Sequence, residues 1–313
     1  MTTDTRSHTR VIPTQQTVEG GGFRIRRPFP VAGLSHLDPI LLIDEMGPVV
    51  YGPGEAVGAP DHPHRGFETV TYLIDGAMEH EDSHGHRGTL RPGDVQWMTA
   101  GAGVIHSEMP AGAGVIHSEM PAGDILAAGG RVHGFQIWLN LPKALKLTTP
   151  RYQEYKSGQL PVVVAPGRWV RVIAGELDGQ RSPIETTVPS TMLHVKLDRG
   201  ATTDVALPPG ANAVVHLIDG GGMVGTDLLV DHQAALIENA PATVQLSAGR
   251  DGLEALVIAA MPIGEPVARY GPFVMNTRAE LERAFADYQA GRFGEIARVD
   301  SPPLPRWGTA VCG

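Results

Sequence analysis

Cysteine is almost missing. The single Cys312 among 313 residues rules out an internal disulfide and suits a reducing cytoplasm, where the chain is expected to reside. Long apolar runs are missing too. No stretch approaches the roughly 20 residues that a bilayer-spanning helix requires, and the opening MTTDTRSHTR has no apolar signal core, so membrane insertion and export are not expected. Positive charge is in deficit, with 25 Lys and Arg against 34 Asp and Glu and a formal net charge of -9. Such a surface repels phosphates and argues against direct nucleic-acid binding. What remains, 42% hydrophobic and 19% charged residues, reads as a globular chain long enough for two domains.

Turn formers are abundant, with 39 Gly and 26 Pro, which favours many short strands and an all-β barrel architecture. FRIRRPFP, PILLIDEMGPV (stopped by Gly47 and Pro48), GFETVTYLIDG and GGRVHGFQIWLNLP read as strands. RPGDVQWMTAGAGVIHSEMP reads as a hairpin: strand, glycine turn, strand. Residues 1 to about 17 are polar and expected to be loose. The proline-flanked LPKALKLTTPRYQEY is the linker candidate and places a domain boundary near residue 145, giving domains 1–145 and 146–313. One helix is expected late, with Thr277 and Glu280 as a capping box, Leu281, Ala284, Phe285 and Tyr288 on one face, and Gly291 as its stop.

Eight of the 13 histidines fall between His62 and His133, the first sign of a metal site. In DHPHRGFETV, His62 and His64 are two apart, so on a strand both side chains leave one face. His106 and Glu108 repeat that spacing in HSEMP. Two neighbouring strands offering these pairs to one interior would bring three imidazoles and a carboxylate together. That set suits a divalent transition metal, iron above all, and is compatible with manganese, cobalt, nickel, copper or zinc. His80, His84 and His86 sit among turn residues in HEDSHGHRGTL and are read as solvated.

Residues 100 to 110, AGAGVIHSEMP, recur unchanged as residues 111 to 121, an in-frame duplication rather than a solenoid repeat. Only one copy can enter the core. Docking the first lengthens a later connection from about nine to about 20 residues, and docking the second lengthens the glycine turn from about three to about 14. Closure entropy then costs about 0.7 against about 1.4 kcal/mol, which favours His106 and Glu108 over His117 and Glu119. The second half carries a faint echo of the first, with Leu217 to Gly220 matching Leu73 to Gly76 and Val244-Gln245 matching Val95-Gln96. The places of His62, His64 and His106 then fall on Ala206, Pro208 and near Ala255, none of which can hold a metal. His194, His216 and His232 have no ligand spacing.

DHPHRGFETV, HEDS followed by GDVQWMTAG, the HSEMP peptide and the late RYGPFVMNT segment together resemble the pirin family of the cupin superfamily, over nearly the whole chain. The resemblance implies two tandem cupin β-barrels. The N-terminal one would hold iron through His62, His64, His106 and Glu108; the C-terminal one would lack metal ligands and end in a capping helix. It also implies either of two roles. One is quercetin 2,3-dioxygenase activity, in which a flavonol is cleaved with O₂ and carbon monoxide is released. Glu108 would accept the 3-hydroxyl proton there, and Phe67, Trp97, Met98 and Phe135 would wall the substrate. The other is a non-enzymatic, redox-sensing regulator that binds a partner protein, a transcription factor or a metabolic enzyme. Two departures stand out. The family has one HSEMP peptide where this chain has two, and the general cupin pattern places its glutamate at Glu68, which is read here as a buried supporting residue.

Overall fold

β-Branched and aromatic residues in short runs, punctuated by glycine, proline and Asp-Gly turns, produce a chain made mostly of antiparallel strands. The computed structural model describes residues 8–19, 22–110 and 125–296, and within them the fold is that of two tandem cupin units. Cys312, His117 and Glu119 lie outside the described residues.

The unit that carries the HPH motif is built on two sheets. One runs in the order Arg151–Tyr155, Val95–Thr99, Phe67–Asp75, Gly130–Asn140, Ile40–Tyr51, Phe23–Arg27, Gln15–Glu19. The other is four-stranded, in the order Ala59–His64, Val104–Pro110, Met78–Asp82, Arg87–Leu90. Side chains from both fill the space between them in layers. Phe23, Ile25, Met46, Leu73, Met78 and Leu90 form an apolar plug. A polar belt of Thr71, Gln136 and Glu108 is joined by hydrogen bonds, and His62, His64 and His106 form a third layer.

The expected hairpin at Gly101–Gly103 is not one. Val95–Thr99 and Val104–Pro110 belong to different sheets, so the glycine turn is a corner where the chain changes sheet. Its geometry demands glycine: Gly101 has φ +48°, and a Cβ there would stand 2.1 Å from the Thr148 carbonyl oxygen. Period-2 alternation reads the same for a hairpin and a corner, because it carries no information about which strand lies alongside.

The other unit is a nine-stranded sheet around a core that includes Val170, Leu193, Val195, Val215, Leu217, Leu246 and Val257. Ala255 is one of its fully buried core residues. Among the described residues, no second group of metal-binding side chains occurs. None of the described helices is long and apolar enough to cross a membrane.

Three expectations about chain ends and boundaries change. Residues 8–13 form a strand paired with Gln233–Glu238, and the ladder hydrogen bonds supply what a polar segment could not gain by burial. The chain also leaves the unit that carries the HPH motif after Ser157, not near 145. The linker candidate is structured: Lys143–Leu145 is a 3-10 turn, and Arg151–Tyr155 adds a strand beside Val95–Thr99. Finally, the helix Arg278–Gln289 joins the unit that carries the HPH motif rather than capping the C-terminal one. Its start is the expected box, with the Glu280 amide donating to Thr277 Oγ1 (3.3 Å) and the Asn276 amide donating to Glu280 Oε2 (3.1 Å). Leu281, Ala284, Phe285 and Tyr288 pack with Phe273 and Phe293.

Lys146 shows why position 145 is no boundary. Its ammonium, 1% exposed, donates to the carbonyls of Gly66 (2.8 Å) and Val274 (3.0 Å) and to Asn140 Oδ1 (2.6 Å). Burial lowers its pKa to about 8 against the raising influence of Glu265 and Glu280. Lys146→Met removes the shared donor and strands three acceptors. Urea unfolding of that variant is expected to show a loss of about 3 kcal/mol or more.

Candidate metal centre

Antiparallel pairing of Ala59–His64 with Val104–Pro110 sets His62 opposite His106 and His64 opposite Val104. Because His62 and His64 share a face, the three imidazoles converge, with ring centroids 4.7 Å (62 to 64), 4.3 Å (62 to 106) and 4.8 Å (64 to 106) apart. One ring nitrogen from each lies within 4.8 Å of the others. His62 is half-buried, and its Nδ1 stands 2.7 Å from the Pro60 carbonyl, to which it donates. Nε2 is thereby left with its lone pair.

His64 and His106 are 2% and 1% exposed; neither ring nitrogen of His106 has a hydrogen-bond partner among the described residues, and His64 has only the Pro272 backbone beside it. Unsatisfied buried nitrogens are costly unless something else takes their lone pairs. Burial pushes the pKa of both rings well below the ordinary histidine value, and the neighbouring imidazoles push it further. The rings are therefore neutral donors at physiological pH. This donor set fits a divalent transition metal.

Glu108 is inside the same barrel but not in that group. A bulge between His106 and Glu108 shifts the register, and the carboxylate reaches the facing sheet. There Thr71 Oγ1 lies 2.8 Å from Oε1, and Gln136 Nε2 donates to Oε2 at 3.0 Å. The structure thus brings His62, His64 and His106 together and holds Glu108 on Thr71 and Gln136. Thr71 and Gln136 are cross-strand partners, which sequence spacing alone does not reveal.

Two of the four expected wall residues point elsewhere. Thr71 faces the interior, and its strand neighbours alternate, so Trp97 (opposite Val70) and Phe135 (opposite Tyr72) lie on the other face of that sheet. Phe67 remains beside the site at 5.1 Å from His64, and Met98 lies opposite Thr69 on the inner face. The missed wall residue is Trp138, 5.1 Å from His64 and 4.3 Å from Phe67, with the Arg269 guanidinium 4.7 Å over its ring. It lies opposite Thr69 on the inner face, a placement set by the facing strand. Glu68 lies on the outer face, buried and accepting from Thr99 Oγ1 at 2.7 Å.

His80 departs from the solvated reading. It lies in the strand Met78–Asp82 opposite Glu108, 5% exposed, with Nε2 2.8 Å from Glu154 Oε2. Only His84 and His86 are exposed, and His86 Nδ1 lies 3.0 Å from Asp82.

With the first copy of the duplicated peptide in the Val104–Pro110 strand, His106→Ala is expected to abolish metal retention. His117→Ala is expected to leave it unchanged, as measured by elemental analysis of the purified variants. Metal-free protein should also lose stability in acid. The unfolded chain takes up protons below about pH 6.5 that His64 and His106 resist in the fold, so stability is full above that pH and declines as pH drops further. Thermal melts of the apoprotein at neutral pH and at about pH 5.5 measure this; equal melting temperatures would contradict the buried neutral imidazoles.

Family models agree with this architecture. The pirin model matches residues 22–111, and the pirin C-terminal cupin model matches residues 192–294. The chain is 38% identical to Pirin of Mus musculus over 286 residues, which is 90% of this chain and 91% of that protein. A crystal structure of quercetin 2,3-dioxygenase from Acinetobacter baumannii superposes with a TM-score of 0.82 at 34% identity, covering 92% of this chain and 98% of the other. A bacterial pirin from Escherichia coli in complex with nickel(II) shares the fold, with a TM-score of 0.60 at 17% identity over 82% of this chain and 100% of the other. Two cupin units, the histidine triad in the first of them and this similarity along nearly the full length lead to one conclusion: the chain belongs to the pirin family.

Proposed function

We propose that the chain is an iron-dependent quercetin 2,3-dioxygenase that cleaves flavonols with O₂. The observation that carries this reading is the triad of converging imidazoles, two of them buried and one of these, His106, without a hydrogen-bond partner among the described residues, beside a carboxylate anchored on the facing sheet. The likeness to the Acinetobacter baumannii dioxygenase supports it. His62, His64 and His106 would hold the ion, with Glu108 as the candidate fourth ligand. Divalent iron in such a site supplies Lewis acidity toward a hydroxyl oxygen and a route for electrons to O₂.

The chain's own residues do the rest. Glu108 accepts the proton of the flavonol 3-hydroxyl at a carboxylate oxygen, and Thr71 and Gln136 keep that carboxylate aimed and partly desolvated. Phe67, Met98 and Trp138 give a flat aromatic substrate an apolar wall. His62, Gln136 and Trp138, all half-buried, mark the side open to solvent. With their ring lone pairs given to the ion, the imidazoles would leave Glu108 as the group that takes the proton.

The test is anaerobic loading with Fe(II), addition of quercetin, admission of O₂ and detection of carbon monoxide. Glu108→Gln is expected to lower turnover by about 10²–10⁴-fold, the usual share of a general base, with the histidine-bound metal retained. Metal bound by the unmodified protein with no carbon monoxide released would withdraw the dioxygenase reading and leave the centre a binding role.

A further inference from the structure

Directly after His64, the side chain of Arg65 turns into a cavity of about 310 Å³ that none of the three histidines lines. One face of the helix Arg278–Gln289, through Glu280, Arg283 and Asp287, forms a wall, and the segment Lys143 to Leu147 forms another. The size is at the lower end for small-molecule sites.

Its charges do not balance. Among the residues that line it, Arg65, Lys143, Lys146 and Arg283 stand against Glu280 and Asp287, with Glu265 close by on the Lys143 amide, in a chain whose overall charge is -9. Both acids are committed already. Glu280 closes the helix start with Thr277 and Asn276, and Asp287 pairs with Arg65 and Arg292. Lys146 is likewise saturated by its three acceptors.

Arg65 is not. Its side chain is 9% exposed, Nε donates to the Ala102 carbonyl (2.6 Å), and Nη1 donates to Asp287. Nη2 has no hydrogen-bond partner among the described residues, and the same holds for the side chains of Lys143 and Arg283. A guanidinium clamped at one edge by a carbonyl and a carboxylate presents its free edge in a fixed direction, which is how arginine recognises planar oxyanions. Beside these donors, Met275 and the 62% exposed Leu147 add apolar surface.

We propose that this cavity binds a small organic anion. Its carboxylate or phosphate monoester head would sit on Arg65, Lys143 and Arg283, and a short apolar body would lie against Leu147 and Met275. The site is independent of the metal and of the dioxygenase reading.

The experiment titrates the full chain by calorimetry, at constant ionic strength, with hexanoate, hexyl phosphate and the neutral hexanol. One or both anions are expected to bind saturably and hexanol not to, and the stronger anion identifies the head group. Lys143 and Arg283 are exposed, so the double variant Lys143→Ala/Arg283→Ala should fold, which its thermal melt checks. Its dissociation constant is expected to rise about tenfold or more, the loss of two charge-assisted contacts. Arg278→Ala removes a 92% exposed cation from the same helix that does not line the cavity, and it should leave the constant unchanged. Failure of both anions to saturate, equal binding of hexanol, or an unchanged constant in the double variant would each overturn the proposal.

Discussion

Two β-segments, DHPH and HSE, pair antiparallel with His62 facing His106, and the chemistry of the molecule follows from that pairing. It drives His64 and His106 into a buried interior where the His106 ring finds no hydrogen-bond partner among the described residues, which is unfavourable for the bare protein and favourable for a metal complex. The ring nearest solvent, His62, is also the one whose orientation is set by a backbone carbonyl. Burial and tautomer control are therefore divided among the three: two rings contribute desolvated lone pairs, and one contributes a fixed geometry at the open side.

The barrel interior must accommodate this polar load without collapsing around it. It does so by layering. The apolar plug around Leu73 and Met78 closes one region, and the belt of Thr71, Gln136 and Glu108 satisfies its own polar atoms across the two sheets. Both oxygens of Glu108 have a donor, Thr71 Oγ1 and Gln136 Nε2, so the carboxylate is buried at tolerable cost. Outside the barrel, Lys146 ties the turn after the HPH strand to the end of the strand Gly130–Asn140 and to the RYGPFVMNT segment. That segment and its helix thereby belong to the metal unit even though more than 100 residues of the other unit intervene in sequence.

Much of this was legible in the residues. The two-residue spacings His62/His64 and His106/Glu108 announced strands sharing a face, and the capping box at Thr277 was read correctly to the residue. Less legible were Trp138 and Gln136, whose roles depend on a facing strand, and His80, whose turn-like neighbours concealed a buried strand position. Trp97 and Phe135 looked like walls because apolar aromatic character is the same on either face of a sheet, and the face is set by register.

The sequence by itself determined the all-β architecture, the identity and spacing of the three histidines that converge, and the net charge, because each of these depends on local pattern or on composition. Only the tertiary structure decided which strands are neighbours, that the glycine turn is a corner, that the chain's two ends exchange units, and that Arg65, Lys143 and Arg283 face one cavity. Those facts depend on contacts between residues far apart in the chain, where solvent exclusion and backbone hydrogen bonding choose among arrangements that look alike along any single strand.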